Sequence, residues 1–269
     1  MNMERNILLT IEYDGTDFYG WQKQPDKRTV QGELERVLTL LCNHQVMLNG
    51  TSRTDSGVHA LGQRASFLCK SNIPVDRIQL AANNMLAGGQ NFRGKVADVR
   101  IIKAEEMPLD FHARFDSKGK TYRYVVSNHG EFNTFRRNYC YQIKEKLDRA
   151  SMRKAAKLIV GGHDFKCFQS AGGTPRETTF RTIYSLDILD KKDDLIIEVT
   201  GDGFLYNMVR IIVGTLVDVG LGKIKWQDVE RIILGGDRQK AGHTAPPQGL
   251  YLVKVFYTEI NEREGMYYE

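Results

Sequence analysis

A chain of 269 residues can bury a full core, as one large domain or as two halves, and its composition is that of an ordinary globular protein. Lys and Arg outnumber Asp and Glu by 38 to 33, a mildly basic balance that suits a polyanionic partner without demanding one. Cys42, Cys69, Cys140 and Cys167 are widely separated, form no metal-ligand pair or redox motif in sequence, and read as reduced packing residues. The N-terminus has no apolar stretch long enough for a signal peptide, so a cytoplasmic protein is expected.

In chain order, Ile7, Leu9, Ile11 and Tyr13 share one face of an alternating strand from Arg5 to Tyr13. The following loop, Asp14 to Arg28, interleaves Phe18, Tyr19 and Trp21 with Lys23, Lys27 and Arg28, which suits stacking on bases and pairing with phosphates as well as it suits plain packing. Val30, Leu34, Val37, Leu38 and Leu41 have helical spacing, with Thr29 as N-cap. A polar, turn-forming stretch, Thr51 to Gln63, then precedes a short strand from Arg64 to Leu68. Pro74-Val75-Asp76 opens a second helix through Leu86, stopped by Gly88-Gly89, and Val96 to Ile102 alternates as a strand before the polar run Lys103 to Leu109. That run closes a first half, 1–109.

The second half, 110–269, repeats the same kinds of element. A strand at Tyr122–Val126 is followed by a helix from Asp148 to Val160, stopped by Gly161-Gly162. Strands at Thr182–Leu189 and Leu195–Gly201 come next, then an apolar helix from Phe204 to Leu221, a helix at Trp226–Leu234 and a last strand at Leu250–Tyr257. The apolar helix contains Asn207, Arg210 and Asp218 and is flanked by glycines, so it reads as buried rather than membrane-spanning, and no membrane association is expected. Strand–helix alternation is too irregular for a doubly wound sheet, which points to an α+β fold.

The stretch Thr51-Ser52-Arg53-Thr54-Asp55-Ser56-Gly57-Val58-His59-Ala60-Leu61-Gly62-Gln63 closely resembles the signature of the tRNA pseudouridine synthase A family, whose core reads Arg-Thr-Asp-x-Gly-Val-His. Further blocks of that family occur in order. They are Glu12-Tyr13-Asp14-Gly15 with Phe18-Tyr19-Gly20-Trp21-Gln22, Phe111-His112-Ala113-Arg114-Phe115 and Lys120-Thr121-Tyr122-Arg123-Tyr124, then Gly203-Phe204-Leu205-Tyr206-Asn207-Met208-Val209-Arg210 and Ala245-Pro246-Pro247-Gln248-Gly249-Leu250. The resemblance covers nearly the whole chain.

It implies two related α/β halves sharing a long mixed, mainly antiparallel sheet, with helices on the outer face and an active-site cleft between the halves. It also implies a homodimer that isomerises uridine to pseudouridine at positions 38, 39 and 40 of the tRNA anticodon arm, with no cofactor and no metal. By the same resemblance Asp55 is the nucleophile, Tyr122 stacks on the extruded uracil, Leu250 forms the wall opposite, and Arg53 assists base flipping. On strand alternation alone Tyr124 would serve as well as Tyr122.

Arg210 is the most informative residue outside the loop. Set among Met208, Val209, Ile211, Ile212 and Val213, its guanidinium requires an anion, and the resemblance makes that anion Asp55. Lys120 and Arg123, with Lys118, Arg136, Arg137, Arg176 and Arg181, are candidates for gripping phosphates. Two positions depart from the family pattern: Ser52 stands where Gly is usual, and Arg64 where an apolar residue is usual. They leave open a paralogue with the same chemistry on ribosomal RNA. Two rival classes are a non-catalytic tRNA-binding or folding module and a metal-dependent hydrolase using His59, His112, His163 and Asp164, whose histidines lack ligand spacing and read as packing or hydrogen-bonding residues.

Overall fold

The computed structural model describes residues 4–88, 96–128, 130–172, 177–192 and 194–260. The chain forms two compact units, Met1–Ser117 with Leu252–Tyr257, and Lys118–Tyr251 with Thr258–Glu269.

In the first unit, β1 (Arg5–Tyr13) lies between β3 (His59–Cys69) and β4 (Val99–Met107), antiparallel to both, and the two-residue β2 (Asn49–Gly50) pairs with β3. As the middle strand, β1 buries Leu8 as well as Ile7, Leu9 and Ile11. Helix α1 (Val30–Cys42) buries Val30, Leu34, Val37 and Leu38, and its expected N-cap is made: Thr29 Oγ1 accepts from Gly32 N at 3.3 Å. Helix α2 (Val75–Leu86) packs between α1 and β4, and Asn83 bonds both backbone groups of Ile101 at 2.8 Å. Gly89 of the expected helix stop lies outside the described residues.

The second unit carries strands in the order β5 (Gly119–Ser127), β9 (Asp194–Gly201), β8 (Phe180–Lys191) and β7 (Gly161–Asp164), each antiparallel to the next, while β6 (Tyr141–Gln142) runs parallel to β5. Helix α3 (Arg149–Ile159), capped by Asp148 Oδ1 on Ser151 N at 3.0 Å, packs on β8, α4 (Met208–Gly220) and α5 (Val229–Gly235). Every residue of α4 except Arg210 is buried. β10 (Leu250–Phe256) starts in the second unit and continues into the first. The α+β class and the mixed, mainly antiparallel pairing are as expected.

Several boundaries differ from those expected. β3 begins at His59, inside the stretch read as loop, because Ala60 and Gln63 already pair with β1. The strand does not stop at Ile102: β4 continues through the polar run to Met107 as an outer strand whose Lys103, Glu105 and Glu106 suit a solvent-facing edge. The first unit runs on to Ser117, where Asn6 Nδ2 holds the carbonyls of Pro108 and Phe111 at 2.9 and 2.7 Å and Ser66 Oγ takes Ala113 N at 3.1 Å. Gly161-Gly162 ends α3 and at once enters β7. Helix α4 starts at Met208 because Asn207, at φ 60°, is left-handed.

Candidate active site

The Asp55 loop is held at its stem, at its turn and from outside. At the stem, Gln63 is fully buried and its amide grips Ser52, while Thr51 N donates to Arg64 O at 2.8 Å and Thr51 Oγ1 donates to Ala113 O at 2.9 Å. At the turn, Val58 N donates to Asp55 O at 3.2 Å, with Gly57 at φ 78°, a backbone state that side-chain-bearing residues rarely adopt.

From outside, the connection between β1 and α1 moulds the loop. Trp21 N donates to Thr54 O at 3.0 Å, Tyr13 OH and Thr54 Oγ1 share a bond of 2.6 Å, and Ser56 Oγ donates to Phe18 O at 3.1 Å. Gly15 N donates to His59 Nδ1 at 3.0 Å. A nitrogen that accepts there has no proton for Asp14 Oδ1, 3.2 Å away, so that contact is not an ion pair. The consequence is an alternation along the loop: Ser52 and Thr54 are buried, Arg53 is exposed and Asp55 is half-buried. The carboxylate is presented on a rigid mount, not on a free turn.

A cavity of 210 Å³ opens beside this loop, lined by Trp21, Gln22, Asn49, Arg53, His112 and Arg114 among others. Its cationic and amide groups suit a polar, negatively charged ligand. His112 is fixed there, with Nδ1 accepting from Arg114 N at 3.1 Å and its ring 4.3 Å from that of Phe115.

The second unit holds Tyr122, Lys120, Arg123, Arg210 and Leu250. Burial distinguishes the two tyrosines that alternation leaves equivalent. Tyr124 is fully buried, its hydroxyl donates to Pro246 O at 2.6 Å, and burial raises its pKa well above the ordinary range. It is a core residue with a satisfied hydroxyl. Tyr122 is 9% exposed and meets Phe204 edge-on at 5.1 Å. Leu250, 6% exposed, comes directly after the short turn Pro247–Gly249.

Arg210 sits in the first turn of α4, half-buried, its Nε donating to Ala245 O at 2.7 Å and Nη1 to Asn207 Oδ1 at 2.8 Å. Ala245 N returns a bond to Arg210 O at 3.0 Å, so the guanidinium has a fixed direction. Asn207 and Ala245, like Gln63 in the first unit, have no role that the sequence alone assigns. Their only signal is position, within or beside a block that carries a charged residue.

Several phosphate candidates have protein partners. Arg123 Nε donates to Glu198 at 2.7 Å, and Arg136 makes a two-pronged pair with Asp194 at 2.8 and 2.6 Å. Arg137 Nη1 bonds Thr134 O at 2.9 Å, Arg181 bonds the carbonyls of Thr178 and Phe180, Lys118 lies 3.7 Å from Glu259, and Lys120 is half-buried. Arg176 lies outside the described residues. Of the two departures, Arg64 is structural: it bonds Thr10 Oγ1 at 2.5 Å and Glu105 at 3.0 Å and lies over the Tyr257 ring. Ser52 Oγ is buried with no hydrogen-bond partner among the described residues.

His59 and His112 are engaged as above, and His163 Nε2 lies 3.2 Å from Val160 O. The cysteines depart from the expectation of unrelated packing residues, since Cys42 and Cys69 meet with sulfurs 3.8 Å apart. Twenty-six residues separate them in sequence, and only the pairing of β1 with β3 and the end of α1 brings them together.

A family model described as tRNA pseudouridine synthase matches residues 9–116 and 155–258. The tRNA pseudouridine synthase A of Ruminiclostridium cellulolyticum is 48% identical over 254 residues, covering 94% of this chain and 100% of that protein; that of Acetivibrio thermocellus is 47% identical with the same coverage. The tRNA pseudouridine synthase A 2 of Clostridium tetani is 46% identical over 257 residues, 95% of this chain and 100% of that one. A solved Cbf5–Nop10–Gar1 complex covers 94% of this chain and 59% of that one at 11% identity and a TM-score of 0.34, too remote to bear on the site. With the Asp55 mount and the matching blocks in place along its length, the chain belongs to the tRNA pseudouridine synthase family.

Proposed function

We propose that this protein isomerises uridine to pseudouridine in the anticodon arm of tRNA, at positions 38, 39 and 40, with Asp55 as nucleophile. The reaction breaks the bond from uracil N1 to ribose C1′, turns the base, joins C5 to C1′, and moves a proton from C5 to N1. Nothing is oxidised and nothing leaves. What it needs is a positioned nucleophile, a hold on the freed base and a proton acceptor.

The observation that carries the reading is the mount of Asp55. A half-buried carboxylate on a turn, braced by Trp21, Tyr13, Phe18 and Gly15, is built for placement and not for solubility. Asp55 forms the covalent link to the nucleotide, at the ribose or at the base. Arg210, oriented by Ala245 O and Asn207, pairs with Asp55 and keeps it ionised. Tyr122 stacks on the flipped uracil with Leu250 as the facing apolar wall, and Arg53, exposed beside the nucleophile, supports the flipped state, which costs a few kcal/mol to reach.

Lys120 and Arg123 flank Tyr122 on β5 and contact phosphate; the Arg123 pair with Glu198 engages Nε, and phosphate contact falls to its terminal nitrogens. The protein acts as a cytoplasmic homodimer. No helix among the described residues is long and apolar enough to cross a membrane.

The test is Asp55→Asn. Binding of unmodified tRNA is expected to persist within about threefold while pseudouridine formation disappears. Residual turnover at the wild-type rate would remove Asp55 from the nucleophile role.

A further inference from the structure

We infer that Cys42, His44 and Cys69 form a binding site for a thiophilic d10 cation, Zn²⁺ in the first instance, apart from the loop that presents Asp55. Among the described residues they form a cluster whose ligand atoms all lie within 4.8 Å of one another. The sulfur–sulfur distance is 3.8 Å. Two thiolates at about 2.3 Å from zinc and separated by the tetrahedral angle lie about 3.8 Å apart, so the sulfurs already have the spacing the ion requires.

The imidazole is prepared as well. Lys70 N donates to His44 Nε2 at 3.0 Å, and a backbone N–H can only donate, so Nε2 carries the lone pair. The proton is therefore on Nδ1, which donates to Gln45 O at 3.0 Å. A hydrogen bond from the second ring nitrogen to a backbone carbonyl is the support that metal-bound histidines have. Coordination takes Nε2 away from Lys70 N, and Lys70 is exposed, so water replaces that acceptor.

The two cysteines are held by regular structure and the histidine by the turn that follows α1. Cys42 is the last residue of α1, Asn43 turns the chain with φ 57°, and His44 comes next; Cys69 ends β3 opposite Arg5 of β1. Access exists on one side only, since Cys42 and Cys69 are buried while His44 is half-exposed. The fourth position falls to water on that side.

Charge also balances. Two thiols bind one Zn²⁺ and release two protons, and the resulting zinc bis-thiolate with a neutral imidazole has no net charge. It adds nothing to a neighbourhood where Arg5 already faces Glu106 at 3.5 Å. Cys140 and Cys167 belong to no such cluster among the described residues and serve as internal controls.

The experiment is titration of the full, reduced chain with Co²⁺, followed by displacement with Zn²⁺. One Co²⁺ per chain is expected, with a thiolate-to-cobalt charge-transfer band and the intense visible bands of a tetrahedral site, both lost when one equivalent of Zn²⁺ is added. Cys42→Ser and Cys69→Ser abolish the charge-transfer band or cut it by half or more, while Cys167→Ser leaves it unchanged. Should the cysteine variants fail to fold, His44→Ala decides the matter, because it alters a half-exposed turn residue. It is expected to weaken Co²⁺ binding by at least about tenfold, the loss already typical of a second-shell change. A wild-type chain with no thiolate–cobalt band, a band left at full intensity by Cys69→Ser, or an affinity unchanged in His44→Ala would overturn the site.

Discussion

Gln63 closes both backbone hydrogen bonds of Ser52 with one side chain: its Nε2 donates to Ser52 O at 2.7 Å and its Oε1 accepts from Ser52 N at 3.2 Å. A side-chain amide therefore stands in for a strand partner at the stem of the Asp55 loop. Replacing it with leucine keeps the volume and leaves two buried backbone groups unpaired. Gln63→Leu is expected to cost about 2–6 kcal/mol in urea unfolding, at roughly 1–3 kcal/mol per unsatisfied group. It should lower turnover more than tRNA affinity. A stability change within about 0.5 kcal/mol would show that the stem does not depend on this residue.

Gly15 offers a steric test of the same mount. A Cβ there would lie 2.0 Å from Val58 O, backbone that cannot yield without moving the turn that carries Asp55. Gly15→Ala is expected to lower both stability and turnover. A variant with wild-type midpoint and rate would mean that the loop has more freedom than its hydrogen bonds indicate.

The two tyrosines of β5 should separate stability from function. Tyr124→Phe removes the hydroxyl that satisfies Pro246 O and is expected to cost about 1 kcal/mol of stability with turnover nearly intact. Tyr122→Ala removes the ring proposed to stack on the uracil; a base-stacking ring is worth about 1–3 kcal/mol, and turnover should fall by roughly 5- to 150-fold. Measuring urea midpoints and single-turnover rates for both checks the assignment. Equal losses of rate would reassign the stacking role or spread it over both rings.

Acid should loosen the second unit at one identifiable carboxylate. Asp190 is held below its ordinary value by hydrogen bonds from Arg153 and then Arg149, at 2.6 and 2.5 Å. A carboxylate lowered on folding stabilises above its unfolded pKa, and that contribution fades as the pH falls through the folded value. The pair is solvent-exposed, so the effect on stability is small. Arg153→Ala is expected to move the Asp190 pKa upward in an NMR titration; no movement would place the shift elsewhere.

Phosphate-led binding also has a salt signature. tRNA affinity should fall steeply between 50 and 200 mM salt, by roughly 10³-fold or more for six phosphate contacts. Mutating Lys120 should reduce the slope, and a flat response would argue against electrostatic binding.

Periodicity made much of this fold legible. Thr29 before Val30 is legible as the N-cap of α1 because a short oxygen side chain just before an apolar stripe has few other uses, and Asp148, where the third helix is expected to begin, caps α3. The strand at His59–Gln63 was hidden because its residues serve the loop and the ladder together: His59 holds Gly15, and Gln63 holds Ser52. β4 beyond Ile102 was hidden because an edge strand carries charge. Gly161-Gly162 read only as a helix stop, since glycine marks an end without specifying the next element. In the site, Asp55 and Arg210 stood out through chemical type in an unusual setting. The groups that fix them, Gln63, Asn207 and the Ala245 carbonyl, did not, because amide and backbone hydrogen bonds between segments distant in sequence leave no local pattern. The same applies to Cys42 and Cys69, which strand pairing brings together.

The most direct measurement is pseudouridine mapping of unmodified total tRNA and ribosomal RNA incubated with wild-type protein and with Asp55→Ala, with no cofactor added. New pseudouridine at positions 38, 39 and 40 of the anticodon arm, with wild type alone, is the expected result. Sites confined to ribosomal RNA, or pseudouridine formed equally by Asp55→Ala, would contradict it.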